Sequence, residues 1–244
     1  MRSFLFAILL FILPGCTSFA PSPDNFKKTQ IETEYFTFSV WEKDTLQKGQ
    51  TLRLYIEGDG TPNPTDKIAL YYAQNDPSDN VIYIARPCQW SKDKICKTKP
   101  EIYKNQRFHP EVLREIEELV TYLIRKHKAK DVELIGYDGG GLVAMEIATH
   151  IQTSQVITIA GILDLKSYIY NNELQEMPDA FNPADKISVL ADVKQIHYVG
   201  TKDEVTPARV AERFVAKMNN PKSATVKRVK GINHTNWKGV KLDY

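Results

Sequence analysis

Apolar and polar positions along the chain follow two rhythms. Leu52-Arg53-Leu54-Tyr55-Ile56 and Val81-Ile82-Tyr83-Ile84-Ala85 are compact apolar runs of strand length, and residues 35–41 alternate like a half-exposed strand. Further strands are predicted over residues 132–137, 156–160, 195–199 and 225–229. Between them lie stretches with helical periodicity, at 67–74, 110–127, 140–151 and 207–218. The clearest is 110–127. Pro110 suits a first helical position and Glu111 faces the positive helix end. Val112, Ile116, Leu119, Val120, Leu123 and Ile124 form one apolar stripe, and basic residues follow from Arg125 to Lys128.

Strands alternating with helices at these intervals predict an α/β architecture, a mainly parallel sheet covered on both faces. The chain has 244 residues, enough for one domain with a full core. Its formal charge is +2, with basic and acidic residues mixed along the chain, so nucleic acid is not an expected partner.

The N-terminus adds a location. Arg2 precedes an apolar run from Phe4 to Leu13, too short to span a bilayer but suited to a secretory signal. The run ends in Leu13-Pro14-Gly15-Cys16, which resembles the bacterial lipobox, whose cysteine is lipidated and becomes the mature N-terminus. Residues 1–15 are thus expected to be a signal peptide, Cys16 the lipidation site, 16–32 a polar, Pro-rich tether and 33–244 the folded domain. Thr17 after the cysteine points to the outer membrane, facing the periplasm. Cys88 and Cys96 are then left to pair in an oxidising compartment. A bridge over so short a loop contributes roughly 2.5 kcal/mol in the chain-entropy model.

In parallel sheets the reactive crevice forms at the carboxyl ends of the strands. Four such ends carry suitable residues. Gly136-Tyr137-Asp138-Gly139-Gly140-Gly141 has the glycine frame of a nucleophile elbow, with aspartate at its centre. Asp203 follows the penultimate strand and can orient a histidine; His234 follows the last strand. The order nucleophile, acid, histidine is that of the α/β-hydrolases. In Glu57-Gly58-Asp59-Gly60, backbone N–H groups of Asp59 and Gly60 are expected to form an oxyanion hole with that of Gly139. No phosphate loop or metal-ligand spacing is apparent, so neither a cofactor nor a metal is expected.

From about Phe36 to Trp237 the chain resembles a group of bacterial α/β-hydrolase-fold proteins, often lipoproteins. The resemblance is carried by Tyr55-Ile56-Glu57-Gly58-Asp59-Gly60, by Arg86-Pro87-Cys88-Gln89, by the elbow, by Asn182-Pro183, and by His234 with Trp237. It implies an α/β-hydrolase fold and hydrolysis of esters or related acyl bonds. In that group the elbow carries serine, and here it carries Asp138.

A carboxylate attacking an ester carbonyl would give a high-energy anhydride. Attack at a saturated carbon gives an alkyl ester, which water activated by His234 can hydrolyse. Haloalkane dehalogenases and epoxide hydrolases of this fold are similar in having aspartate at the elbow. They also carry a lid after the strand that follows the elbow helix; here that interval, 160–195, is short. Tyr168 and Tyr170 within it are candidate epoxide donors or packing aromatics, and Trp90 and Trp237 are candidate pocket walls or structural residues. The expected function is a hydrolase acting on a small molecule or an ester-like substrate through Asp138, Asp203 and His234. The alternative is an inactive scaffold that binds an envelope protein, with Asp138 capping the elbow helix.

Overall fold

A computed structural model describes residues 20–59, 62–218 and 223–244. Among the described residues, eight strands form one sheet in the order β1-β2-β4-β3-β5-β6-β7-β8. The chain opens with β1 (Phe26–Glu32), β2 (Thr37–Lys43) and β3 (Thr51–Ile56), followed by α1 (Ile68–Asn75) and β4 (Val81–Ile84). The segment after β4 carries α2 (Lys94–Thr98) and leads into α3 (Pro110–His127). Then come β5 (Asp131–Tyr137), α4 (Gly139–Ile147), β6 (Gln155–Ile159), α5 (Leu165–Asn171) and α6 (Ile187–Leu190). The chain ends with β7 (Gln195–Gly200), α7 (Ala208–Ala216) and β8 (Ala224–Val229). Pairings from β4 to β8 are parallel, while β1 and β2 are antiparallel to their neighbours.

The period of two divides each central strand between two cores. Leu52, Leu54, Ile56, Ile82, Ile84, Val132 and Leu134 face the core under α3, α4 and α7. Tyr55, Val81, Tyr83, Ile135, Tyr137, Ile157 and Ile159 face the other, covered by α1 and the C-terminal segment. With both faces covered, the strands read as continuous apolar runs. Helix α3 has the expected limits, with Pro110 in its first turn and Lys128 left-handed at its C-cap.

The expected tether of 16–32 is corrected in its second half. Phe26–Glu32 pairs with β2 from Phe26↔Lys43 to Glu32↔Thr37. The Trp41 indole N–H also donates to the Pro21 carbonyl at 2.9 Å, so the fold takes in residues before β1. An edge strand needs only backbone pairing and one half-buried face, so its composition can stay polar. Cys16 and the signal region lie outside the described residues. Among the described residues, no helix is long and apolar enough to cross a membrane. Cys88 and Cys96 form a disulfide, their Cα atoms 5.5 Å apart.

Candidate active site

The elbow lies between β5 and α4. Asp138 sits there at φ 51°, ψ −120°, in a sparsely populated region that functional turns often occupy. Such a turn brings strand and helix close together. A Cβ at Gly136 would lie 2.2 Å from the Gly140 carbonyl oxygen. Asp138 does not cap α4 through its side chain, which removes the capping role as its explanation.

The Asp138 carboxylate is held instead by groups from three loops. The Asp59 N–H donates to Oδ2 at 3.2 Å, and the Gly139 N–H acts on the same carboxylate. Of the expected oxyanion donors, the Asp59 N–H is thus directed at Asp138's own oxygen. Gly60 lies outside the described residues. Oδ1 is buried, has no hydrogen-bond partner, and lies 3.4 Å from His234 Nε2. On the far side of the ring, Nδ1 is 3.0 Å from Asp203 Oδ2. Asp203 is fixed by the backbone N–H groups of Val205 and Thr206, at 2.9 and 2.8 Å, and by the Thr206 hydroxyl. The Tyr137 hydroxyl donates to the His234 carbonyl at 3.1 Å, tying the histidine loop to the elbow. The three residues, which follow one another along the chain as Asp138, Asp203 and His234, meet in space with His234 between the two carboxylates.

Charge follows from this geometry. Burial alone would depress the imidazole, but pairing with Asp138 and Asp203 outweighs it and lifts His234 to about 10. Burial would raise Asp138; the bond to His234 and the N–H groups of Gly139 and Asp59 hold it below its ordinary value instead. The resting site is a carboxylate–imidazolium–carboxylate row.

Asp59 contributes more than its N–H. Its carboxylate pairs with Arg86 Nη1 at 2.8 Å and Arg107 Nε at 2.5 Å. It also lies across the elbow, where a Cβ at Gly139 would come within 2.0 Å of Asp59 Oδ1. Arg86 donates to the Arg107 carbonyl at 3.0 Å, locking the clamp. Glu57, two residues earlier, is buried and accepts from the Tyr83 hydroxyl at 2.9 Å and the Gly58 N–H at 3.0 Å. It also faces the N–H groups of Ala69 and Leu70 at the start of α1, anchoring the end of β3. Arg86, Arg107 and Glu57 carry no local sequence signal for these roles, because their partners come from distant segments.

A cleft of about 580 Å³ opens onto Asp138 and His234, walled by Tyr103, Arg107, Tyr168 and Met177 among others. Tyr168 lies in this wall, whereas Tyr170 is 85% exposed and takes no part in it. Trp90 packs edge-on against Trp41 and Trp237 is fully buried, so both are structural. The short 160–195 interval supplies one wall through α5 and the turn after it, not a separate lid.

No known protein-family profile matches the chain, and no curated protein matches it in sequence. Solved structures do match. An esterase from Pyrococcus furiosus superposes with a TM-score of 0.67 at 14% identity, over 88% of this chain and 85% of its own. An α/β serine hydrolase homologue from Coxiella burnetii gives 0.62 at 14% identity, over 88% and 91%. A lidless α/β serine hydrolase from Xanthomonas campestris gives 0.55 at 12% identity, over 88% of each chain. What these share with the protein is architecture: it has the α/β-hydrolase fold, with little or no lid.

Proposed function

We propose that the protein is a hydrolase whose nucleophile is Asp138, acting on a small molecule at a saturated carbon bearing a leaving group. The observation that carries this reading is the division of labour within one carboxylate. Oδ2 accepts from the Asp59 N–H at 3.2 Å, while Oδ1 has no partner nearer than His234 Nε2 at 3.4 Å, in a residue that borders the cleft.

In the first step Oδ1 attacks carbon. The carbon–oxygen bond forms and the leaving group departs with its electron pair; the His234 proton passes to an epoxide oxygen, or to solvent when a halide leaves as its anion. Esterification removes the charge on Asp138, one of the two carboxylates that keep the imidazole protonated. His234 thereby becomes a base when one is required. It takes a proton from water, and the hydroxide adds to the Asp138 Cγ. The oxyanion on Oδ2 faces the Asp59 N–H, which already donates to that oxygen. Collapse releases the alcohol with the proton from His234, and the new carboxyl group returns a proton to the imidazole. Asp203 positions the ring throughout.

The same proposal places the protein in the cell envelope, anchored by lipid on Cys16 at the outer membrane. Incorporation of labelled palmitate that disappears in Cys16→Ala tests the anchor. For the chemistry, a single turnover of an alkyl halide or epoxide in heavy-oxygen water is expected to leave label in Asp138. Turnover without that label removes the nucleophile. Fluorophosphonate probes are expected not to label the wild type. If no such substrate turns over while Asp138→Ser gains esterase activity, the scaffold reading replaces this one.

A further inference from the structure

A second histidine sits between two carboxylates at the other end of α4. Glu146 occupies the last turn of that helix, and His150 follows in the turn that closes it, its N–H bonded to the Ile147 carbonyl at 3.0 Å. Glu117 reaches in from α3. His150 Nδ1 is 3.1 Å from Glu117 Oε2 and 3.2 Å from Glu146 Oε1. One ligand-type atom from each of the three residues lies within 4.8 Å of the others. Bonds of about 2 Å in tetrahedral geometry separate neighbouring ligands by about 3.3 Å, so the three atoms can close on one ion with small rotations.

An independent observation concerns Glu146. The residue is only 5% exposed, yet its Oε2 has no hydrogen-bond partner. A buried carboxylate oxygen left bare is costly and calls for an explanation. Two of the three side chains are acidic, so a divalent cation held between them and the imidazole would match the pair in charge.

We infer that Glu117, Glu146 and His150 form a binding site for a first-row divalent metal ion, for which zinc is the best-matched candidate. The imidazole ligand disfavours calcium and magnesium, which take oxygen donors. Three protein ligands with His150 half exposed leave the fourth position open to water or a small anion. The ion would cross-link α3 to α4, the helix that starts at the elbow. The Asp138–His234–Asp203 row is no rival in shape. Its carboxylates lie on opposite ring nitrogens, so its donor atoms do not converge.

The test is zinc binding to the full chain, measured by calorimetry and by native mass spectrometry after dialysis. A single zinc per chain is expected, together with a higher melting temperature. His150→Ala and Glu117→Gln should each weaken binding at least tenfold, by about the margin typical of lost metal-site partners or more. Circular dichroism confirms that both fold, and His234→Ala should bind as the wild type does. Two results overturn the inference: no binding at micromolar zinc, or binding that survives both substitutions. Loss of binding in His234→Ala alone would move the ion to the elbow and overturn it as well.

Discussion

Helix α4 has a histidine between two carboxylates at each end, and the two arrangements differ in everything except that composition. At the elbow the carboxylates grip opposite nitrogens of His234, and backbone N–H groups satisfy Asp138 Oδ2 and Asp203. At the far end both carboxylates crowd one nitrogen of His150, which is half exposed, and a buried oxygen of Glu146 goes without a partner. The first also leaves one buried oxygen, Asp138 Oδ1, without a hydrogen-bond partner, but its carboxylates face opposite ring nitrogens and share no common point. The second converges on a point that the protein does not fill. Residue types alone therefore do not tell a proton-transfer site from a cation site; the nitrogen each carboxylate faces does.

Removing each histidine breaks the comparison most directly. His234→Ala leaves Asp138 and Asp203 buried without their common cation, and should cost about 3 kcal/mol in chemical unfolding. It should also abolish turnover. His150→Ala, in metal-free buffer, should cost less, about 1 kcal/mol, because His150 is half exposed although its partner Glu146 is buried. Equal losses for the two would erase the distinction drawn here.

Titration sharpens the same contrast. His234 is lifted from 6.5 to about 10, so its pairing stabilises fully below the unfolded value and is lost as pH rises through 10. Asp138 is lowered from 3.8, so its contribution is present above that value and fades as pH falls through the folded one. Thermal melts of wild type should thus weaken on both the alkaline and the acid side. In His234→Gln the alkaline limb attributable to this residue should vanish.

A smaller effect is expected at the elbow's edge. Gly139→Ala drives a methyl group into the Asp59 carboxylate, 2.0 Å from the would-be Cβ. Displacing that carboxylate should cost about 1–3 kcal/mol and lower turnover with little change in substrate affinity, read as kcat falling more than KM. The smallest change belongs to Glu117→Gln in metal-free buffer, within about 0.5 kcal/mol. A larger loss there would mean that Glu117 carries structural weight without any ion.

The elbow, Asp203 and His234 were legible because each follows an apolar strand and carries its own local signal. Helix α3 was legible for a similar reason, since stripe, first-turn proline and basic end agree along one segment. β1 was not, because its pairing uses backbone groups that side-chain patterning does not reveal. The clamp of Arg86 and Arg107 on Asp59 was also hidden. Its members come from different loops and meet only when the strand order places those loops side by side. Glu117 and His150 were invisible for the same reason, although Glu146 and His150 share the i,i+4 spacing of a helix face.

The Cys88–Cys96 bridge has a consequence in time as well as in strength. Gln89, inside its loop, accepts from the Arg86 N–H at 3.0 Å and donates to the Gly58 carbonyl at 3.0 Å. Arg86, two residues before the bridge, grips the carboxylate of Asp59, whose N–H supports Asp138. Closing the disulfide thus restrains the loop that bears on the support of Asp138. A freshly synthesised chain with free thiols lacks that restraint until the bridge forms.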